Sequence, residues 1–140
     1  DVFTDNDYTK EEMKLINESK KMLHRDDLDI TCTAVRVPVF ISHSESVNIE
    51  FESPVSIEDI KAVWAQTPDL ELLDDPSQSV YPTPLEISGK DPVYVGRLRK
   101  DTSHPNAVNC WIVSDNLRIG AALNTVRIGE ELAKLLCHTK

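Results

Sequence analysis

Basic residues are in short supply. Fifteen Lys and Arg stand against 24 Asp and Glu, giving a formal net charge of -9 and a pI near 4.8. Nucleic acids and anionic membranes both need a cationic face, so neither is expected as a partner. A local cationic pocket stays open. Long apolar runs are missing as well. The longest, such as residues 37–41, fall far short of the ~20 residues that span a bilayer. No basic segment leads into an apolar stretch at the start, so no signal peptide is expected. Glycine is scarce. Gly89, Gly96, Gly120 and Gly129 are too dispersed for G-x-G-x-x-G or a P-loop. There is no G-x-S-x-G elbow either. Cys32, Cys110 and Cys137 are an odd set without close pairing, which excludes a disulfide-stapled secreted domain. The thiols suit a reducing, cytoplasmic compartment. With no C-x-x-C, no H-E-x-x-H and four scattered histidines (His24, His43, His104, His138), no metal site is expected.

What is present suits a globular chain. The 140 residues are 40% hydrophobic and match the length of one domain, residues 1–140. The opening Asp1-Val2-Phe3-Thr4 has no initiator Met and reads like the middle of a longer protein. Thr9 and Glu12 form a T-x-x-E capping box ahead of apolar residues at helical spacing, which predicts a helix to about His24. Residues 28–41 are rich in Val, Thr and Ile and predict a long strand, kinked or placed at an edge by Pro38. Residues 47–52 alternate and predict a strand with Val47, Ile49 and Phe51 inward. Ser56 caps a helix over residues 57–65. Residues 67–92 hold five prolines and read as loop, with a short extended piece at 70–73. Two strands at 93–100 and 108–113 flank a His104-Pro105-Asn106 turn, and an amphipathic helix runs from about 117 to 137. The order α-β-β-α-loop-β-β-α does not alternate strand with helix. It predicts an α+β domain with a mixed, mostly antiparallel sheet and helices packed on one face.

Several polar residues stand out. Arg36 interrupts an apolar stretch. Either it pairs with a carboxylate of this chain, or its planar fork binds a ligand carboxylate bidentately. His43 follows that stretch, flanked by Ser42 and Ser44. It is either a surface histidine in a turn or a general acid/base, since its ordinary pKa of ~6.5 lies near working pH. On a regular strand Arg36 and His43 have opposite parity, so they share a pocket only if Pro38 or a bulge resets the alternation. Glu11 and Lys14 lie three apart on one helix face. They form either a solvated pair worth ~0.2–0.5 kcal/mol or a zwitterionic surface for an anion and an ammonium. Arg97, Arg99 and Lys100 make a local basic strand with Arg97 and Arg99 on one face, read as solvated or ion-paired, with a phosphate site as the weaker alternative.

Five segments in order give these residues a context. They are Glu11-Glu12-Met13-Lys14, Arg36-Val37-Pro38-Val39 with His43-Ser44, Val93-Tyr94-Val95-Gly96-Arg97, Trp111-Ile112-Val113-Ser114-Asp115-Asn116-Leu117, and Gly120-Ala121-Ala122-Leu123-Asn124. The chain resembles the C-terminal catalytic and dimerisation domain of the aspartate-semialdehyde dehydrogenase family over nearly its whole length. The resemblance implies a fold like the C-terminal domain of glyceraldehyde-3-phosphate dehydrogenase. It implies an oxidoreductase that converts aspartyl 4-phosphate and NADPH to aspartate 4-semialdehyde, NADP and phosphate, toward lysine, threonine and methionine. By the same resemblance His43 is the acid/base, Arg36 binds the substrate carboxylate, Glu11 its amino group and Lys14 the phosphate, while Asn116 touches the nicotinamide cofactor. A homodimer is implied. None of the three cysteines stands in the family's nucleophile context, so the NADP-binding domain and the nucleophile are expected upstream of Asp1, and this chain alone is expected to be inactive. A catalytically silent dimerisation module and a related acyl-phosphate reductase are the alternatives.

Overall fold

The computed structural model describes residues 2–137; Asp1 and His138, noted above, lie outside them. The chain forms two compact units, one up to Pro38 and one from Val39 onward.

The first unit is built on α1 (Lys10–Leu23). The capping box is present. Glu12 N donates to Thr9 Oγ1 at 3.2 Å, and Thr9 N donates to Glu12 Oε2 at 2.7 Å. Glu11 and Glu12 occupy the first turn and Lys20 and Lys21 the last, which complements the helix dipole. His24 closes the helix in the left-handed region, φ 52°. The stretch after it corrects the sequence reading: residues 28–41 join no strand ladder. Side-chain bonds hold part of it instead. Ala34 N donates to Glu12 Oε1 at 2.9 Å, Cys32 Sγ lies 3.4 Å from Glu12 O, and the Tyr8 and Thr31 hydroxyls are 2.9 Å apart. Val35 and Val37 are exposed, so this stretch is not a strand covered on both faces.

The second unit is a four-stranded mixed sheet in the order β1-β4-β3-β2, from β1 (His43–Glu50), β2 (Leu70–Leu72), β3 (Val93–Lys100) and β4 (Ala107–Ser114). β1 runs antiparallel to β4 from His43↔Ser114 to Glu50↔Ala107. β3 is antiparallel to β4 and parallel to β2. α2 (Ile57–Trp64), capped by Ser56, lays Ile57, Ile60 and Trp64 over Val47, Ile49, Val108 and Cys110. Val113 has the opposite parity on β4. It packs on the other face with Tyr94 and Ile87.

Ile87 belongs to α3 (Pro84–Ile87), a single turn that the loop reading of residues 67–92 did not contain. Its signal was a T-x-x-E sequence, Thr83-Pro84-Leu85-Glu86, with Pro at the first helical position; Thr83 caps the turn through Glu86 N, and its hydroxyl bonds the Glu86 carboxylate. β3 is bulged between Gly96 and Arg99, and Arg97 has φ 53°. The buried Asp74 carboxylate holds the bulge by accepting from Arg97 N (2.8 Å) and Leu98 N (3.3 Å). The C-terminal helix begins one residue later than expected and differently, with a π-helical turn at Arg118–Ala122 before α4 (Leu123–Cys137).

Candidate functional site

In the first unit the capping box sets the geometry. Glu12, on the buried side of the helix start, spends both oxygens on backbone N–H groups of Thr9 and Ala34. These N–H donors bind the charged form, Thr9 first, and hold its carboxyl below the usual range. Glu12 therefore ties the chain two residues ahead of Arg36 to the first turn of α1, where Glu11 sits. Sequence reading gave Glu12 only a capping role; its second oxygen needed a tertiary partner to be seen.

Arg36 is exposed and has no hydrogen bond or ion pair among the described residues. The pairing with a carboxylate of this chain that burial would have forced is not made, because the stretch is not buried in a sheet. Glu11 and Lys14 are also exposed, and no ion pair between them is formed at their three-residue spacing.

In the second unit His43 is the first residue of β1, opposite Ser114. The expected strand before it is absent, so His43 opens a strand rather than closing one. Its side chain is exposed and its imidazole has no partner among the described residues. The residue before it is the constrained one. Ser42 is buried with φ 84°, a left-handed value that costs a non-glycine residue about 1–3 kcal/mol. Its N–H donates to Asn116 Oδ1 at 2.9 Å, and its Oγ lies 3.4 Å from Pro84 O. Ser44 Oγ, on the other side of His43, is buried without a hydrogen-bond partner.

Asn116 leaves β4 beside the buried Asp115. Asp115 accepts from Gly89 N at 2.7 Å and from Leu117 N at 2.9 Å. These bonds, Gly89 first, keep its carboxyl below the usual range. Ser42 N–H demands an acceptor, so the oxygen of the Asn116 amide must face it and Nδ2 must face away.

Arg97 and Arg99 line one groove with Tyr81 and Trp111. Arg97 lies 5.6 Å from the Tyr81 ring centroid, and Arg99 Nη1 donates to Arg97 O at 2.7 Å. Neither Cys32 nor Cys110 is activated. Burial pushes Cys110 up, and burial followed by the Glu12 charge pushes Cys32 up.

Comparison with known proteins gives first the class and then the particular relatives. Residues 1–119 match the family described as "Semialdehyde dehydrogenase, dimerisation domain", and the chain belongs to that family. The aspartate-semialdehyde dehydrogenase of Bacillus subtilis is 51% identical over 136 residues, 96% of this chain and 39% of that protein. That of Legionella pneumophila is 45% identical over 135 residues, with the same coverage. The crystal structure of aspartate semialdehyde dehydrogenase II from Vibrio cholerae, complexed with ASA, matches with TM-score 0.90 at 42% identity. It is covered to 39% by 96% of this chain. The chain thus spans about 39% of the length of these relatives. The α+β reading agrees with these neighbours. No described helix is long and apolar enough to cross a membrane.

Proposed function

We propose that this chain is the substrate-binding and acid/base part of an NADP-dependent aspartate-semialdehyde dehydrogenase that converts aspartyl 4-phosphate, NADPH and a proton to aspartate 4-semialdehyde, NADP and phosphate. One observation carries the reading. Glu11, Lys14, Arg36 and His43 are all exposed, and none is committed to an internal hydrogen bond or ion pair among the described residues. Elsewhere Arg25 pairs with Asp27, Arg118 with Asp91 and Arg127 with Asp69. The guanidinium fork, carboxylate and ammonium of the first unit suit an α-carboxylate, an α-ammonium and a phosphate, and the imidazole of the second suits a transferable proton.

The roles follow from that chemistry. Arg36 takes the carboxylate bidentately, because its planar fork matches two oxygens. Glu11 takes the ammonium, and these two contacts fix the amino-acid end and so orient the reacting end. Lys14 offsets phosphate charge. His43 moves the proton at the carbonyl carbon's substituents as the acyl group changes oxidation level. The dinucleotide, when bound, would supply the hydride, and Asn116 Nδ2 would be a donor for its carboxamide. The nucleophilic thiolate is assigned to the rest of the enzyme, since none of Cys32, Cys110 and Cys137 stands in the family's nucleophile context. The family's description as a dimerisation domain supports a homodimer.

The test is phosphate-dependent NADP reduction with aspartate semialdehyde by the full-length protein, against the 140-residue chain alone. Turnover is expected only in the full-length protein, which should sediment as a dimer. Turnover by the isolated chain, or none by the full-length protein, overturns the reading.

A further inference from the structure

We propose that Asn116 is a positioning residue for His43 and acts through the backbone of Ser42. The inference rests on the reading of His43 as the acid/base. Among the described residues the His43 imidazole has no partner of its own to orient it, so its direction depends on where the backbone starts β1. That start is set by Ser42, whose φ of 84° persists only if its surroundings over-determine it. The determining contact is the 2.9 Å bond from Ser42 N–H to Asn116 Oδ1. Asn116 is in turn fixed by Asp115, which is 3% exposed and bonded to Gly89 N and Leu117 N. A continuous series therefore runs from the Gly89 turn through Asp115, Asn116 and Ser42 to His43. One amide serves two roles: its oxygen holds the histidine's backbone, and its Nδ2, a donor, is left for the dinucleotide on the proposed function. The side chain thereby links the proton-moving group to the group expected to meet the dinucleotide.

The two roles separate by substitution in the full-length enzyme. Asn116→Ala removes both. Asn116→Asp keeps an acceptor for Ser42 N–H and turns the donor into an acceptor. Asn116→Ala is expected to lower kcat at least ten-fold, and Asn116→Asp to recover most of that loss. Each is compared at its own pH optimum, because Asn116→Asp adds a titratable group to the site. KM for NADP should rise in both. In a His43→Ala background, Asn116→Ala should cost no further kcat, since a residue acting through His43 is non-additive with it. If Asn116→Ala does not fold, Asn116→Ser takes its place, being polar but too short to reach Ser42. An Asn116→Asp variant as poor in kcat as the alanine variant overturns the proposal and leaves a cofactor contact alone. So does a full multiplicative loss in the double variant. Loss of His43→Ala's own effect on kcat and its pH profile would instead remove the reading of His43, a distinguishable outcome.

Discussion

At the residue scale the two groups that matter are exposed for different reasons. Arg36 is free because the segment that carries it is hung on Glu12 by side-chain bonds and joins no ladder. His43 is free because it opens β1, with its backbone clamped and its ring left in solvent. Their variants should therefore separate in the full-length enzyme. His43→Ala should lower kcat by about 10²–10⁴ with KM mostly kept. Arg36→Lys keeps charge but loses the fork, so its effect should fall on KM for the amino-acid substrate. Steady-state kinetics distinguishes the two, and a change in thermal stability alone for both would remove their catalytic roles. Glu12 holds the backbone at Ala34, two residues before Arg36, and adds a pH dependence. Its folded pKa lies below its ordinary value. Its contribution to stability is therefore complete above the ordinary carboxylate range and fades as pH falls through and below it. Glu12→Gln preserves a cap but cannot ionise, so the acid limb of stability should become shallower. Urea midpoints measured between about pH 7 and 3 would show it; an unchanged limb would mean Glu12 does not couple to folding.

At the element scale, local signals were legible and partner-dependent ones were not. Thr9-x-x-Glu12 and Ser56 announced α1 and α2, because a cap is satisfied within three residues. Val47 and Ile49 announced the buried half of β1 by alternation. The polar half, His43-Ser44-Glu45-Ser46, has no apolar period. It is strand only because β4 offers it backbone from Ser114 to Trp111. Residues 28–41 fail in the opposite sense, with strand composition and no backbone to pair with. The candidate site was legible as residue types, while the Ser42–Asn116 bond spans 74 positions and no spacing reveals it. The bulge in β3 was equally invisible, though its glycine is obligatory. A Cβ on Gly96 would lie 2.3 Å from Leu73 O and 2.7 Å from Pro82 Cδ. Since the first of these is backbone, the strand itself must shift. Gly96→Ala should cost about 1–3 kcal/mol or more in the second unit, read as a lowered denaturation midpoint. A midpoint equal to the parent's would show that β2 and β3 can part without loss.

At the scale of the whole molecule, α4 is the element that this chain leaves unfinished. Ile128, Leu132 and Leu136 follow one another at four-residue intervals on one face and are 62%, 55% and 64% exposed. The helix is held at its start by the π-helical turn and by Arg127 Nη1, 2.5 Å from Asp69 Oδ2. Fifteen residues of isolated helix are marginal in water, so an apolar face of this length implies a cover. The relatives are more than twice as long as this chain, and on the proposed function the remainder is the dinucleotide-binding part. That remainder is the expected cover. Leu132→Ala is the sensitive probe, because Leu132 is the middle of the three. In the full-length enzyme, truncating a buried leucine should cost about 2–5 kcal/mol. In the 140-residue chain the same substitution should stay within about 0.5 kcal/mol, as exposed substitutions do. Denaturant unfolding of both forms, each as parent and variant, measures the difference. Equal small costs would leave α4 bare in the complete enzyme. A large cost in the short chain that grows with its concentration would assign the cover to a second copy.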